Sequence, residues 1–361
     1  MSAARRASPA KACRHLRWQR GGLMRMPSKR SIALAAIVLS RFLVGIATAD
    51  AGNSAMPADA AIRAAEAWAF SEPQSPDPSA PRAQQPDAQQ VMRIADSPRS
   101  YTLGELSSNF LAPDWFPEDH PRAPHVVLYG RKPAWACGAC HYPNGEGDTT
   151  SPTLAGLPKV YILEQIRAFR DGQRRPPDPS MAEEARNLDE ADLQQAADYF
   201  SSLKLPHIRR VVETATVPKT HWEEFVLAPD KDGAREPIGE RIIEVPNDQT
   251  LYDWGDERTG FTAYVPPGSI ARGEVIGAKG EGSVAACESC HGAKLTGATM
   301  PGIGIAPPLA GRSPTYIVKE LILFRLGRRT DPAALPMRVE ASQLTEPEMV
   351  DVAAYAASRK P

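Results

Sequence analysis

The sequence predicts a mainly α-helical chain of two similar modules joined by a small irregular segment with β content. Three observations carry that expectation. Two strings of one pattern, Cys137-Gly138-Ala139-Cys140-His141 and Cys287-Glu288-Ser289-Cys290-His291, stand 150 residues apart. An internal duplication surrounds them. At an offset of 155, Pro152-Thr153-Leu154-Ala155-Gly156 aligns with Pro307-Pro308-Leu309-Ala310-Gly311, and ten of the 24 positions from 152 to 175 are identical. Inside each copy the apolar residues recur at helical spacing.

At the amino terminus, Lys29 and Arg30 precede an apolar run from Ile32 to Leu39, and Ala47-Thr48-Ala49 offers a small-residue cleavage site. Residues 1–49 are therefore expected to be a secretory signal, which directs the chain to the periplasm. An uncleaved anchor is the competing expectation. Against it, Ile32 to Ala49 is 18 residues interrupted by Arg41, which is short for a spanning helix. Cleavage would leave no integral membrane span in the mature chain. The signal holds ten Lys and Arg and no Asp or Glu, so its loss takes the formal charge from −1 to −11. So acidic a chain is a poor candidate for nucleic-acid binding and a reasonable one for docking on basic protein patches. Residues 50–98, rich in Pro, Ala, Gln and Ser, are expected to be a disordered tether apart from an Ala-rich patch around Trp68.

Order resumes near Tyr101, in an extension that opens the first module, residues 99–205. Thr102 with Glu105 is a capping-box signature for a short helix carrying Leu106. Asp114-Trp115-Phe116-Pro117 is expected to pack against the first core. Ile162, Leu163, Ile166 and Phe169 form one helical stripe with Gly172 as its stop; Ile317, Val318, Leu321, Phe324 and Gly327 repeat both. A last helix follows in each copy, capped by Asp189 or Thr345. Residues 206–269 carry short β-branched and aromatic runs at 209–217, 240–245 and 260–265, which predict a small sheet or pair of hairpins without a chemical motif. The second module spans 270–361.

C-x-x-C-H is the pattern in which two cysteines form thioethers to haem vinyl groups and the adjacent histidine binds the iron. Cysteines three apart lie on one side of a single turn, and the next residue swings its imidazole over the porphyrin face. The fifth cysteine, Cys13, falls in the signal, which leaves no thiol for a disulfide. A zinc site is the rival, but its ligand pairs gather within a few tens of residues, whereas 146 residues separate Cys140 from Cys287.

With those motifs, the two modules resemble class I cytochrome c domains over roughly 122–205 and 270–358: an early helix, C-x-x-C-H, a Pro-x-Leu-x-Gly loop, a middle helix, a methionine loop and a last helix. The resemblance implies two covalent haem c groups, held by Cys137, Cys140, Cys287 and Cys290 with His141 and His291 on the irons. It implies that the Pro152 and Pro307 carbonyls orient those histidines, with Pro308 an adjacent rival. The sixth ligands implied are Met181, 40 residues after His141, and Met337, 46 after His291, both in Pro-rich loops. Met349 reads as core packing, and Met300, nine residues from His291, as a poor ligand. His120, His125, His207 and His221 have no counterparts across the repeat and read as ordinary histidines. Gly273 and Gly277 in the second early helix would allow a close crossing with the last helix; the first module has Ala123 and Val127 there.

The function expected is an exported di-haem carrier, not an enzyme, passing electrons between redox proteins such as a dehydrogenase, an oxidase or another cytochrome. The alternatives are an electron-accepting subunit of a periplasmic dehydrogenase, or a di-haem oxidoreductase such as a peroxidase, which would need one open iron position.

Overall fold

The computed structural model describes residues 68–70, 87–206, 209–302 and 304–361. The expected signal, residues 1–49, lies outside them. A two-stranded ribbon of β1 (Val91–Met92) and β2 (Tyr101–Thr102) leads into α1 (Leu103–Leu106). Thr102 and Glu105 close the expected capping box, which seats Leu106 in a buried cluster. The first module continues with α2 (His125–Leu128), α3 (Gly138–His141), α4 (Lys159–Arg170), α5 (Ser180–Asn187) and α6 (Glu190–Ser202). Its core joins Val126 and Val127 to Ile162 and Leu163 of α4 and to Leu193 and Phe200 of α6.

The connector holds β3 (Arg209–Glu213), β4 (Thr216–Pro218), β5 (Thr220–Glu223), β6 (Val226–Pro229), β7 (Arg235–Pro237), β8 (Ile243–Pro246), α7 (Gln249–Asp253) and β9 (Phe261–Val265). β9 is the middle strand of a three-stranded sheet, parallel to β3 and antiparallel to β8. A parallel pair formed by strands this far apart in sequence goes beyond a pair of hairpins. Strands β5 and β6 do form a hairpin, and β4 pairs with β7, both in stretches with no clear alternation.

The second module contains α8 (Ser269–Lys279), α9 (Cys287–His291), the hairpin β10 (Ala298–Met300) with β11 (Gly304–Ala306), α10 (Pro314–Arg325), α11 (Leu335–Gln343) and α12 (Glu346–Ser358). The predicted caps form: the Asp189 side chain accepts the Asp192 N–H, and Thr345 makes a capping box with Glu348. Gly172 and Gly327 stop the two middle helices at φ of +67° and +64°, a conformation glycine adopts without strain. Gly273 is needed for contact, because a Cβ there would stand 2.0 Å from the Asp351 carbonyl oxygen of α12.

Four expectations need correction. The tether is not featureless: Ala69 and Phe70 are buried in the second module's core, where the aromatic pair with Trp68 gains more by burial than by remaining in water, and Val91–Met92 is a strand. Trp115 and Phe116 do not plug the first core; they join Ile94, Leu103 and Leu106 against the connector's Leu251 and Trp254, with Trp115 Nε1 donating to the Trp254 carbonyl at 2.9 Å. The early helix of the first module is a single turn, because Pro124 starts it and Gly130 follows at φ +61°. Met181 and Met337 sit in the first turns of α5 and α11 and not in loops; Pro179 and Pro336 fall at the N-cap and first turn, where proline fits a helix.

Candidate functional site

Both C-x-x-C-H strings fold as one helical turn, α3 and α9. His141 Nδ1 lies 2.8 Å from the Pro152 carbonyl oxygen, and His291 Nδ1 lies 2.8 Å from that of Pro307. Because a carbonyl only accepts, each Nδ1 carries the proton and donates, leaving Nε2 with its lone pair as the ligating nitrogen. Pro308 gives its carbonyl to Arg312 Nε instead, at 2.8 Å. Burial lowers the His141 pKa to about 4 and lowers that of His291 as well, so both rings are neutral. Burial also raises Cys137 to about 12 and Cys287 to about 11. Buried, uncharged sulfurs of this kind suit a neutral thioether.

The two histidines, all four cysteines, Met181 and Met337 line one continuous cavity of about 490 Å³ that runs from one module into the other. Met300 reaches its wall too, whereas Met349 is fully buried in the core as expected. His141 and His291 are the only histidines lining it among the described residues; His207 lies outside them.

Where the modules meet, equivalent residues of the repeat face each other. Arg174 and Arg329 form an isolated antiparallel bridge, continued by Arg175 N–H to the Arg328 carbonyl at 2.9 Å and Thr330 N–H to that of Gln173 at 2.7 Å. The Arg174 guanidinium donates to Glu320 at 2.8 Å, Tyr316 Oη at 2.7 Å and Gln165 at 2.9 Å; Arg329 donates to Glu320 at 2.6 Å and also to Gln165. Burial alone would raise the Glu320 carboxyl, but the two arginines more than offset it and hold it at about 2. Arg312 crosses the same seam to the Thr153 and Ala155 carbonyls at 2.8 and 3.0 Å. The connector adds a buried chain of charge in which Arg209 donates to Glu146 at 2.7 Å and to Glu244 at 2.6 Å. Sequence reasoning assigned none of these residues a role. The signal was present for Arg174 and Arg329, identical in both copies two residues after the helix-stop glycine. Arg209, Glu146 and Glu244 carry no such mark.

The cytochrome c family profile matches residues 128–204. Cytochrome c4 of Thiocapsa roseopersicina is 40% identical over 220 residues, which cover 61% of this chain and 84% of that protein. Cytochrome c4 of Pseudomonas aeruginosa is 25% identical over 234 residues (63% and 85%). The thiosulfate dehydrogenase electron acceptor of Thiomonas intermedia is 28% identical over 229 residues (63% and 79%). Fold and site define a c-type cytochrome, a protein whose haem is tied to the chain by thioethers. The chain belongs to the class I cytochrome c family. It is a di-haem electron-transfer cytochrome with two covalently bound haem c groups. The residues on the page fit that cofactor: each half of the cavity offers two thiols and one neutral imidazole whose Nδ1 is already committed to a backbone carbonyl.

Proposed function

We propose that the mature chain is an exported electron carrier, not an enzyme, with one haem module over residues 99–205 and another over 270–361, bridged by 206–269. Cys137 and Cys140, and Cys287 and Cys290, would form the thioethers, and His141 with Met181, and His291 with Met337, would ligate the irons. Bound haem c supplies one-electron exchange between ferric and ferrous iron. The chain's own residues do the rest. Pro152 and Pro307 hold the Nδ1 protons and so fix ring orientation, and the apolar wall limits water. Thioether ligands favour the ferrous state and close the iron to oxygen chemistry.

The observation that carries this reading is the pair of equal His–Pro contacts, 2.8 Å each, on the wall of one shared cavity. Two alike sites on one shared cavity suit passage of an electron from one to the other. A hydrolase or peroxidase would call for one open site with an acid–base group above it. The acidic mature surface favours partners with basic patches, and the Thiomonas relative's description makes a thiosulfate-oxidising dehydrogenase one candidate electron donor. Among the described residues no helix is long and apolar enough to cross a membrane.

The test is carbon monoxide binding to the fully reduced protein, alongside a haem count in alkaline pyridine. Two c-type haems and no rapid carbon monoxide adduct are expected. Fast binding at either iron would move the reading to an oxidoreductase, and a count below two would remove it.

A further inference from the structure

Away from the haem cavity, three ionisable side chains converge where the amino-terminal extension, the connector and the first module meet. Each offers one ligand atom, an imidazole nitrogen or a carboxylate oxygen, and these atoms lie within 4.8 Å of one another. The His120 side chain is 3% exposed and Glu257 2% exposed. Asp114 Oδ1, His120 Nε2 and Glu257 Oε2 have no hydrogen-bond partner. Glu257 Oε1 accepts the Phe116 N–H at 2.9 Å, and the Glu257 carbonyl accepts Asn144 Nδ2 at 2.8 Å. Tyr101 Oη locks the Asp114 backbone from both sides, at 2.9 and 3.0 Å.

The tautomer of His120 sharpens the point. Its Nδ1 lies 2.9 Å from the Pro121 carbonyl oxygen and 2.9 Å from Tyr199 Oη. The Tyr199 hydroxyl donates to the Pro143 carbonyl at 2.7 Å, so its oxygen accepts from His120, as does Pro121. Nδ1 therefore carries a proton, and Nε2 faces Asp114 Oδ1, 3.3 Å away: an ion pair when the ring is doubly protonated, an open ligand position when it is not. Two carboxylates beside that nitrogen in a buried pocket call for a positive charge among them, which is either a metal ion or a second ring proton; burial lowers the His120 pKa, but Asp114 more than offsets it. Arg258, the nearest guanidinium in sequence, turns outward to Asp119 and Glu118 and does not fill that role. Backbone and hydroxyl acceptors at the far nitrogen of a histidine are also the arrangement that orients metal-binding imidazoles.

We propose that Asp114, His120 and Glu257 bind one divalent transition-metal ion, which fastens the amino-terminal extension and the connector to the first haem module. One imidazole and two carboxylates favour zinc or manganese over calcium or magnesium, which take oxygen ligands. Metal–ligand bonds of about 2.1 Å set neighbouring ligand atoms roughly 3–4 Å apart, so the trio needs to contract by no more than about 2 Å. The site completes its shell with water. It transfers no electrons; its place next to Asn144, three residues after the haem histidine, makes it a clip for that loop.

Zinc is the probe. The di-haem protein, stripped with chelator, is titrated with Zn²⁺ calorimetrically, and metal per two haem irons is counted by mass spectrometry. One zinc per chain is expected, with affinity falling at least 100-fold in H120A and in E257Q while two haems are retained. H221A, at an exposed histidine paired with Asp230, should bind as the parent does. Failure of the parent protein to retain zinc would overturn the proposal, with an ordered water then the filler of the pocket. Zinc binding that survives both H120A and E257Q would overturn it equally. Should a variant lose its haems, the parent titration and the rise in its unfolding temperature on adding zinc still decide the matter.

Discussion

In the first module the segment ahead of the cysteines is one turn, α2; in the second it is an eleven-residue helix, α8, whose glycines let it lie directly on α12. The last helices carry equivalent tyrosines with different tasks. Tyr199 donates to the Pro143 carbonyl, while Tyr355 donates to Glu288 inside the second haem string, at 2.7 Å in each case. Past the histidine, a short loop in one copy is a β-hairpin in the other. Yet the His–Pro distance is the same. The difference shows that the haem-facing geometry is set locally, by the one-turn string and the proline loop, while the enclosing helices are free to vary. What the first module lacks in helix, the extension supplies: Ala112 N–H bonds to the Leu128 carbonyl at 2.7 Å and Ala136 N–H to that of Asn109 at 2.9 Å.

The comparison is broken most severely where the modules touch. Position 165 is Gln and its counterpart 320 is Glu, so a single carboxylate serves both Arg174 and Arg329. E320Q leaves two buried guanidiniums without a counter-charge and should cost about 3–5 kcal/mol by the scale of broken buried pairs. It should also change the acid limb. The folded-state carboxyl at about 2 sits below its ordinary 4.5, so its stabilising contribution is complete above pH 4.5 and is lost as the pH falls from there toward 2. Denaturant midpoints measured through that window should decline less steeply in E320Q than in the parent. Equal slopes would place the acid sensitivity elsewhere.

A smaller effect tests the helix crossing itself. The Cβ of G273A would meet the Asp351 carbonyl oxygen and the Tyr355 side chain, forcing α8 off α12, at a cost of about 3 kcal/mol. At the corresponding place in the first module, A123G removes one buried methyl and frees the backbone, for about 1 kcal/mol. Thermal unfolding of the two variants with both haems in place checks the ordering; a milder G273A would show that the crossing relaxes.

How much of this was legible in the sequence depends on whether the cause is local. The one-turn strings, the caps at Asp189 and Thr345, the glycine stops and the His–Pro pairing all depend on residues within about sixteen positions, and each stands where its pattern put it. The helix periodicity in each copy was equally plain. Contacts between distant segments were not. The burial of Phe70 in the second core, the parallel pairing of β3 with β9 and the Arg209–Glu146–Glu244 chain each bring together side chains with no repeating spacing to betray them. The methionine segments were misjudged for a different reason. Prolines cluster in loops, yet at a helix start the missing N–H costs nothing.

The finest distinction concerns two methionines in the second module that reach the same cavity wall. Met337 lies in the first turn of α11, packed beside the core, and Met300 ends strand β10, paired with Gly304. Hairpin pairing fixes the Met300 backbone nine residues from His291, on the stretch that returns to Pro307. M337A should therefore abolish the red thioether-to-ferric-iron absorption of the second haem and lower its potential. M300A should leave both unchanged and shift stability by no more than about 0.5 kcal/mol, as substitutions outside the core do. M181A serves as the counterpart in the first module, erasing the remaining half of the absorption. If M300A, and not M337A, removed the band, the hairpin that distinguishes the second module would be its ligand arm, and the two halves of the repeat would differ in their chemistry as well as in their helices.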